Sequence, residues 1–261
     1  MPSHRISGLE SGQLDELVEL VTELLGEPWE KQTGRPRELT LRDAIIVACA
    51  YERHNITEEV LADIFGTSQP VISRAICTLM PLIKEATAGF RPSAEEAQEV
   101  VRGRVVLVDG FLAPCWSWKA IPGLWSGKHK TTGHNSQVVV LLSGDVAFVS
   151  EPVKGHNHDL AALRETDTVR VTDAAQDGIA DKGYIGAGFV TPIRKPRNRD
   201  LYIREEDFNA QISGLRSPAE RAIAHLKAWR ILHTDYRRPL HTFYDSFATA
   251  IGLYFFKLSF G

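Results

Sequence analysis

Residues 105–111 read Val-Val-Leu-Val-Asp-Gly-Phe. A short β-branched run of this kind is typical of a buried strand. The Asp109-Gly110 pair that closes the run admits two readings. Asp-Gly after an apolar run is a hairpin signal. Alternatively, Asp109 is a carboxylate at the end of a buried strand, facing a site. Downstream, Gln137–Leu142 and Val146–Ser150 are two further strand candidates, joined by the turn residues Ser143-Gly144-Asp145. Asp159–Arg164 reads as a short helix, Ile179-Ala180 as the end of another strand and Phe189–Ile193 as one more. Residues 204–257 are helical again. This pattern predicts a mixed α/β body.

Upstream of residue 90 the periodicity is helical. Leu14, Leu17, Val18, Val21, Leu24 and Leu25 follow helical spacing until Gly26 and Pro28 stop it. Thr40 and Asp43 form a capping box for a helix through Ile45, Ile46, Cys49 and Arg53. Asn55-Ile56-Thr57 breaks that helix and caps the next, which runs through Val60, Leu61, Ile64 and Phe65 to Gly66. Ser68 caps a third, with Pro70 in its first turn and Val71, Ile72, Ala75, Ile76 and Leu79 along it. The last two helices have the size of a helix-turn-helix. In that reading Gln69, Ser73 and Arg74 lie near the start of the second helix, where base edges are read. Gln can bond adenine bidentately and Arg guanine. The other reading is an ordinary αα-hairpin, since Arg42–Ala88 holds four Lys/Arg against six Asp/Glu, poor provision for phosphate contacts. The predicted organisation is a helical head over 1–90, a linker over 91–104 and a mixed-sheet body over 105–261.

The chain has 261 residues, 43% hydrophobic and 24% charged. These are ordinary values for a globular protein and exclude a disordered tail, a collagen-like chain or a disulfide scaffold. A net charge of −3 excludes a polycation that coats nucleic acid, so DNA contact must come from local patches. Cys49, Cys77 and Cys115 lie far apart and suit a reducing cytoplasm. The apolar runs are too short to span a bilayer, and the N-terminus does not read as a signal peptide. The expectation is a cytoplasmic protein.

Two further acidic residues accompany Asp109. Asp181 sits in Ile-Ala-Asp-Lys-Gly-Tyr (179–184), either a turn or a second strand-end carboxylate with Gly183 letting the backbone pass close by. Glu220 sits in Ser217-Pro218-Ala219-Glu220, which reads as a capping box with Pro at the first helical position. Glu220, Ala224 and Lys227 also share one helix face, with Arg216 a turn earlier if the helix extends back. A carboxylate flanked by cations suits a metal beside a phosphate path. Taken singly, each acid is accounted for by a turn or a cap. Taken together, they run strand-Asp, strand-Asp, helix-Glu, with separations of 72 and 39 residues.

Five stretches carry a specific resemblance: VVLVDGF (105–111), SGKHKTTGHNSQVVV (126–140), KGHNHDL (154–160), ADKGYIG (180–186) and RSPAERAIAHLKAWRIL (216–232). Over about 40–257 the chain resembles DDE transposases of bacterial insertion sequences, in the branch related to Harbinger elements. Arg216, Glu220 and Lys227 match that group's arrangement of Arg, three residues, Glu, six residues, Lys. The family often has Tyr shortly before that Arg; position 213 is Ser. The resemblance implies an RNase H-like catalytic domain with Asp109 and Asp181 ending neighbouring strands and Glu220 reaching them from a late helix. It also implies the helix-turn-helix, cutting at element ends and strand transfer into target DNA. Transposases usually act as homo-oligomers on paired ends, and this one would be nucleoid-associated when bound.

Three carboxylates brought together repel one another unless cations sit between them. Hard oxygen ligands suit Mg²⁺ or Mn²⁺, and two such ions can serve an in-line displacement. Local charge agrees. Residues 111–144 hold no acid but have Lys119, Lys128, Lys130, His129 and His134, and residues 191–261 have twelve Lys/Arg against seven Asp/Glu. Lys128, Lys130, Arg216 and Lys227 are the candidate DNA contacts of the body. Trp116, Trp118 and Trp125 read as core or as stacking platforms. His158 and Asp159 read as residues that support the site or position DNA. The competing function is a DNA-binding regulator with an unused or domesticated nuclease fold.

Overall fold

The computed structural model describes residues 3–30, 34, 36–116 and 121–260. Trp118 and Lys119, named above, lie outside the described residues. The helices are α1 (Ser3–Ser7), α2 (Ser11–Leu25), α3 (Leu41–His54), α4 (Glu58–Phe65), α5 (Gln69–Ala88), α6 (Ala94–Val101), α7 (Asp159–Glu165), α8 (Thr168–Asp173), α9 (Ile203–Leu226) and α10 (Phe243–Leu258). The strands are β1 (Val105–Pro114), β2 (Trp125–Ser126), β3 (Thr131–Leu141), β4 (Val146–Val149), β5 (Val153–Lys154) and β6 (Asp177–Ala180). Contacts group the chain into two compact units, one of residues 1–91 with 227–261, the other of residues 92–226. The last 35 residues gather with the N-terminal helices rather than with the sheet. The stretch read as a linker holds one short helix, α6, which packs on α8 and β4.

In the helical unit the predicted stops and caps are local and visible. The Thr40 hydroxyl accepts from the Asp43 amide at 3.1 Å and donates to its carboxylate. Asn55, at φ +47°, closes α3 in the left-handed region, which Asn tolerates better than most residues. Thr57 caps α4, and Gly66, at φ +64°, ends it. Ser68 stands at the N-cap of α5 without a side-chain cap bond. Ile72, Ala75 and Ile76 are buried. α10 carries a largely aromatic stripe, with Phe243, Phe247, Ile251 and Tyr254 buried, and packs on α5 and α3. The approach to α5 is close at Gly252, where a Cβ would overlap the Thr87 side chain.

Glu52 of α3 is fully buried. One carboxyl oxygen takes a hydrogen bond from Ser246 and the other has no partner among the described residues. Burial pushes its pKa up from 4.5 to about 8, with the Ser246 bond and Arg238 opposing the rise. The folded state thus holds a proton that the unfolded chain releases near 4.5. Stability contributed by this group is full at low pH and falls as pH rises from about 4.5 to 8. Glu52→Gln should flatten that fall in urea unfolding series from pH 5 to 8.5. An unchanged pH slope would rule Glu52 out as its source.

The second unit is built on one sheet in the order β2-β3-β1-β6, with β4 and β5 also pairing β3. β1 and β3 are antiparallel, with Asp109 opposite Val138. β1 and β6 are parallel, with Val108 opposite Ala180. The β3–β4 hairpin turns where predicted, with Gly144 at φ +99°. Of the predicted strand 189–193, Val190 makes a bridge to Ile179 and Phe189 packs its ring over Gly178 of β6, but no strand forms. β3 is buried along nearly its whole length, and the unit's core joins Val106, Val108, Val139, Phe148, Leu163 and Tyr184.

Candidate active site

The position of Asp109 follows from register. β1 does not stop at Asp109, as the hairpin or strand-end readings required; it continues to Pro114. β6 stops at Ala180, opposite Val108. Asp109 is therefore the first residue of β1 beyond the end of β6, and Asp181 is the first residue after β6. Parallel pairing sets the two carboxylates at the same level on adjacent strands. Asp181 turns the chain into a single helical turn, Lys182–Tyr184, and caps it by accepting from the Gly183 amide at 2.7 Å.

Asp109 is mostly buried, with 14% of its side chain exposed. One oxygen accepts from the Gly110 amide at 2.8 Å and the other from Arg216 Nη2 at 2.8 Å. Burial pushes the Asp109 carboxyl above its ordinary range. Arg216 and the Gly110 amide oppose that rise, and the Asp181 charge adds to it.

Asp159, at the start of α7, is a third aspartate of the site. It is 4% exposed. Its Oδ2 accepts from Lys128 Nζ at 2.6 Å, and its Oδ1 from Asn135 Nδ2 at 3.4 Å. A hydrogen-bonded row continues from Asn135 along β3. Gln137 Nε2 donates to Asn135 Oδ1 at 3.2 Å, and the Tyr184 hydroxyl donates to Gln137 Oε1 at 2.6 Å. Burial, then Asp159, Asp109 and Asp181, hold the Tyr184 phenol well above its usual pKa, so it remains a donor. His158 acts locally: its Nδ1 accepts from the Ala161 amide and caps α7.

Two glycines leave the room that these groups need. A Cβ on Gly110 would come within 2.9–3.1 Å of Gln137, Asp159 and Tyr184. A Cβ on Gly183 would lie 2.7 Å from Asp159 Oδ2 and 2.8 Å from Asp181 Oδ1.

α9 supplies the remaining candidates, with a change from expectation. The predicted cap at Ser217 is not a helix start, because α9 begins at Ile203 and carries Pro218 inside it. Pro218 lacks the N–H that would bond Gly214, at a typical cost of about 3 kcal/mol. The helix extends back through Arg216, which reaches Asp109. Glu220, one turn on, is exposed. The predicted face Glu220–Ala224–Lys227 is cut short, since α9 ends at Leu226 and Lys227 groups with the helical unit.

The other predicted contacts are more scattered. Lys128 and Lys130 are exposed on the turn before β3, closed by a Lys130 amide bond to Ser126. Gln69 donates to Glu58, Ser73 is half-buried and Arg74 is exposed. Asn135, Gln137 and Tyr184 were not singled out in the sequence. For Asn135 and Gln137 the signal is polar residues leading directly into the apolar run 138–140 of β3.

The donor chemistry fits a hard divalent cation. Asp109 and Asp181 offer adjacent hard oxygen donors, and Gly183 keeps open the space between Asp181 and Asp159. Among the described residues no three His, Cys, Asp or Glu side chains stand close enough to hold a metal. The fit therefore rests on the two aspartates.

The sheet lays two aspartates side by side, with Arg216 of α9 bonded to one of them, and comparison with known proteins gives the family. Residues 108–253 match the DDE superfamily endonuclease family, and the chain belongs to it. It is 30% identical over 228 residues to the protein named as transposase for insertion sequence element IS112 of Streptomyces albus G, covering 87% of this chain and 83% of that one. It is 24% identical over 262 residues to the one named for element IS702 of Microchaete diplosiphon, covering 98% and 94%. No solved structure matches the chain significantly.

Gly183→Ala should force the Asp159 and Asp181 carboxylates apart. Overpacking of this kind costs about 1–3 kcal/mol, read as a lower urea midpoint at unchanged slope. An unaltered midpoint would mean that the cradle has slack.

Proposed function

We propose that this protein is the transposase of an insertion sequence, cutting DNA at the element's ends and joining the freed ends to target DNA. The observation that carries this reading is the parallel β1–β6 register, which sets Asp109 beside Asp181 within the stretch that matches the DDE endonucleases. In this reading the sheet unit is an RNase H-like catalytic domain, and Asp109, Asp181 and Glu220 are its three carboxylates. α4 and α5 are the helix-turn-helix, with Gln69, Ser73 and Arg74 toward the bases.

Two divalent cations, Mg²⁺ or Mn²⁺, when bound would activate the attacking oxygen and stabilise the leaving one. Asp109 and Asp181 hold their carboxylates in place on adjacent strands. Glu220, exposed on α9, turns inward to add the third. Arg216 and Lys128 neutralise part of the acidic cluster while no substrate is present. Lys128, Lys130, Arg216 and Lys227 take DNA phosphates. Water is the first nucleophile and frees a 3′-hydroxyl, and that hydroxyl then attacks the target strand. Two ends brought together call for more than one copy of the chain. Among the described residues no helix is long and apolar enough to cross a membrane.

The test is incubation with a duplex carrying the DNA that flanks the protein's own gene, in Mg²⁺ or Mn²⁺. Wild type should cut at the element ends and yield joined products. Asp109→Asn, Asp181→Asn and Glu220→Gln should each lower cutting by about 10²–10³-fold, the scale seen when a group that stabilises transition-state charge is removed. Two observations favour the second reading, a DNA-binding regulator: Arg216 occupies Asp109, and Glu220 faces solvent. Binding without cutting, alike in wild type and variants, would establish that reading. Unimpaired cutting by Glu220→Gln alone would remove Glu220 from the triad.

A further inference from the structure

Asp159 is a buried carboxylate that the three-carboxylate reading leaves without a task. Taking an unpaired charge out of water costs several kcal/mol, so a buried Asp persists only with a strong partner. Its partner is Lys128, at 2.6 Å. The pair is lopsided: 6% of the Asp159 side chain is exposed against 52% of Lys128. The carboxylate lies inside the fold, while the ammonium rises toward solvent. An ammonium has three donors, and one is spent on Asp159.

Lys128 is also fixed in direction. It stands on the turn closed by Lys130 at φ +57°, and Asp159 is itself held by Asn135 on β3. Burial alone would draw the Lys128 pKa down, but Asp159, then Asp181 and Asp109, raise it overall. The ammonium therefore keeps its proton at neutral pH. The only other cation bonded to a site aspartate among the described residues is Arg216, whose side chain is 14% exposed. Lys128 is the more accessible of the two.

We infer that Asp159 is a positioning residue: it holds the Lys128 ammonium at the rim of the Asp109–Asp181 pair as a fixed contact for a DNA phosphate. The inference rests on the nuclease reading for what lies beneath that phosphate, but its readout is binding. It also predicts a sign that simple charge counting does not. Asp159→Asn removes a negative charge near DNA, so bulk electrostatics alone would tighten binding. Release of Lys128 to swing in solvent would weaken it.

The experiment measures fluorescence anisotropy of the full chain with a labelled duplex carrying the gene-flanking DNA, in Ca²⁺, across a salt series. Lys128→Met and Asp159→Asn should each weaken binding several-fold. Each should also lower the slope of log K against log salt by about 0.9, the value for one lost phosphate contact. The double variant should bind no more weakly than Lys128→Met alone, because both changes remove one contact. Lys128 is exposed, so its variant tests the contact even if Asp159→Asn folds poorly. Tighter or unchanged binding by folded Asp159→Asn, an unchanged slope for Lys128→Met, or additive losses would overturn the inference. Mg²⁺-dependent cutting of the same duplex by wild type is scored separately. If the binding pattern holds without cutting, the nuclease reading fails and the positioning role stands.

Discussion

A carboxylate buried inside a sheet must be matched by positive charge or by donors, and the second unit is arranged around that demand. Asp159 and Asp109 are both largely withdrawn from water and each receives a cation, Lys128 in one case and Arg216 in the other. The remaining lone pairs take N–H donors from Gly110 and Asn135. The polar row Asn135, Gln137 and Tyr184 crosses an otherwise apolar core because it has these acids to serve. Gly110 and Gly183 are required for the same reason, since a methyl at either would intrude among the carboxylates. The carboxylates of this network are well supplied, while Arg216 Nε is buried without a partner among the described residues, and each such orphan is costly.

The sheet's mixed topology turns that cluster into a site. β1 pairs antiparallel with β3 but parallel with β6. A parallel neighbour that ends one residue short leaves the longer strand exposed at that level, and Asp109 occupies the place. Asp181 is there because the chain must turn as soon as β6 stops. The acids are thus set by backbone pairing, which is stiff, rather than by loops. α9 then contributes the side chain that answers Asp109. Its continuity through Pro218 puts Arg216 on the helix, and Glu220 stands one turn further on. The membership of the chain in the DDE endonucleases agrees with this placement of two strand carboxylates.

The helical unit obeys different physics. Its boundaries come from local chemistry: Thr40 and Thr57 caps, left-handed Asn55 and Gly66, and an interior filled by aliphatic and aromatic side chains. The burial of Glu52 beside Ser246 is an exception, a titratable group lodged in an apolar core and kept protonated by it. The close approach of α10 to α5 at Gly252 shows why the aromatic stripe joins these helices. Thr87 and Gly252 let two helices meet more tightly than a helix carrying larger residues there could.

Much of this was legible in the sequence, for identifiable reasons. The run Val105–Val108, the hairpin at Ser143–Asp145 and the helix stops at Asn55 and Gly66 all rest on neighbours in the chain. Caps, turns and β-branched runs act over a few residues, so a linear reading finds them. What the sequence could not decide was register and partner choice. That Asp109 lies mid-strand follows from where β6 ends, a long-range pairing. That Ser217-Pro218 is helix interior follows from α9 packing on β1 and β3, which outweighs the local cap signal. That Arg216 answers Asp109, and that Asp159 is buried with Lys128 as its counter-charge, depends on residues 107 and 31 positions apart. Local chemistry determined the elements and the acids they carry; only the tertiary structure, by removing those acids from water, decided which cation each must hold.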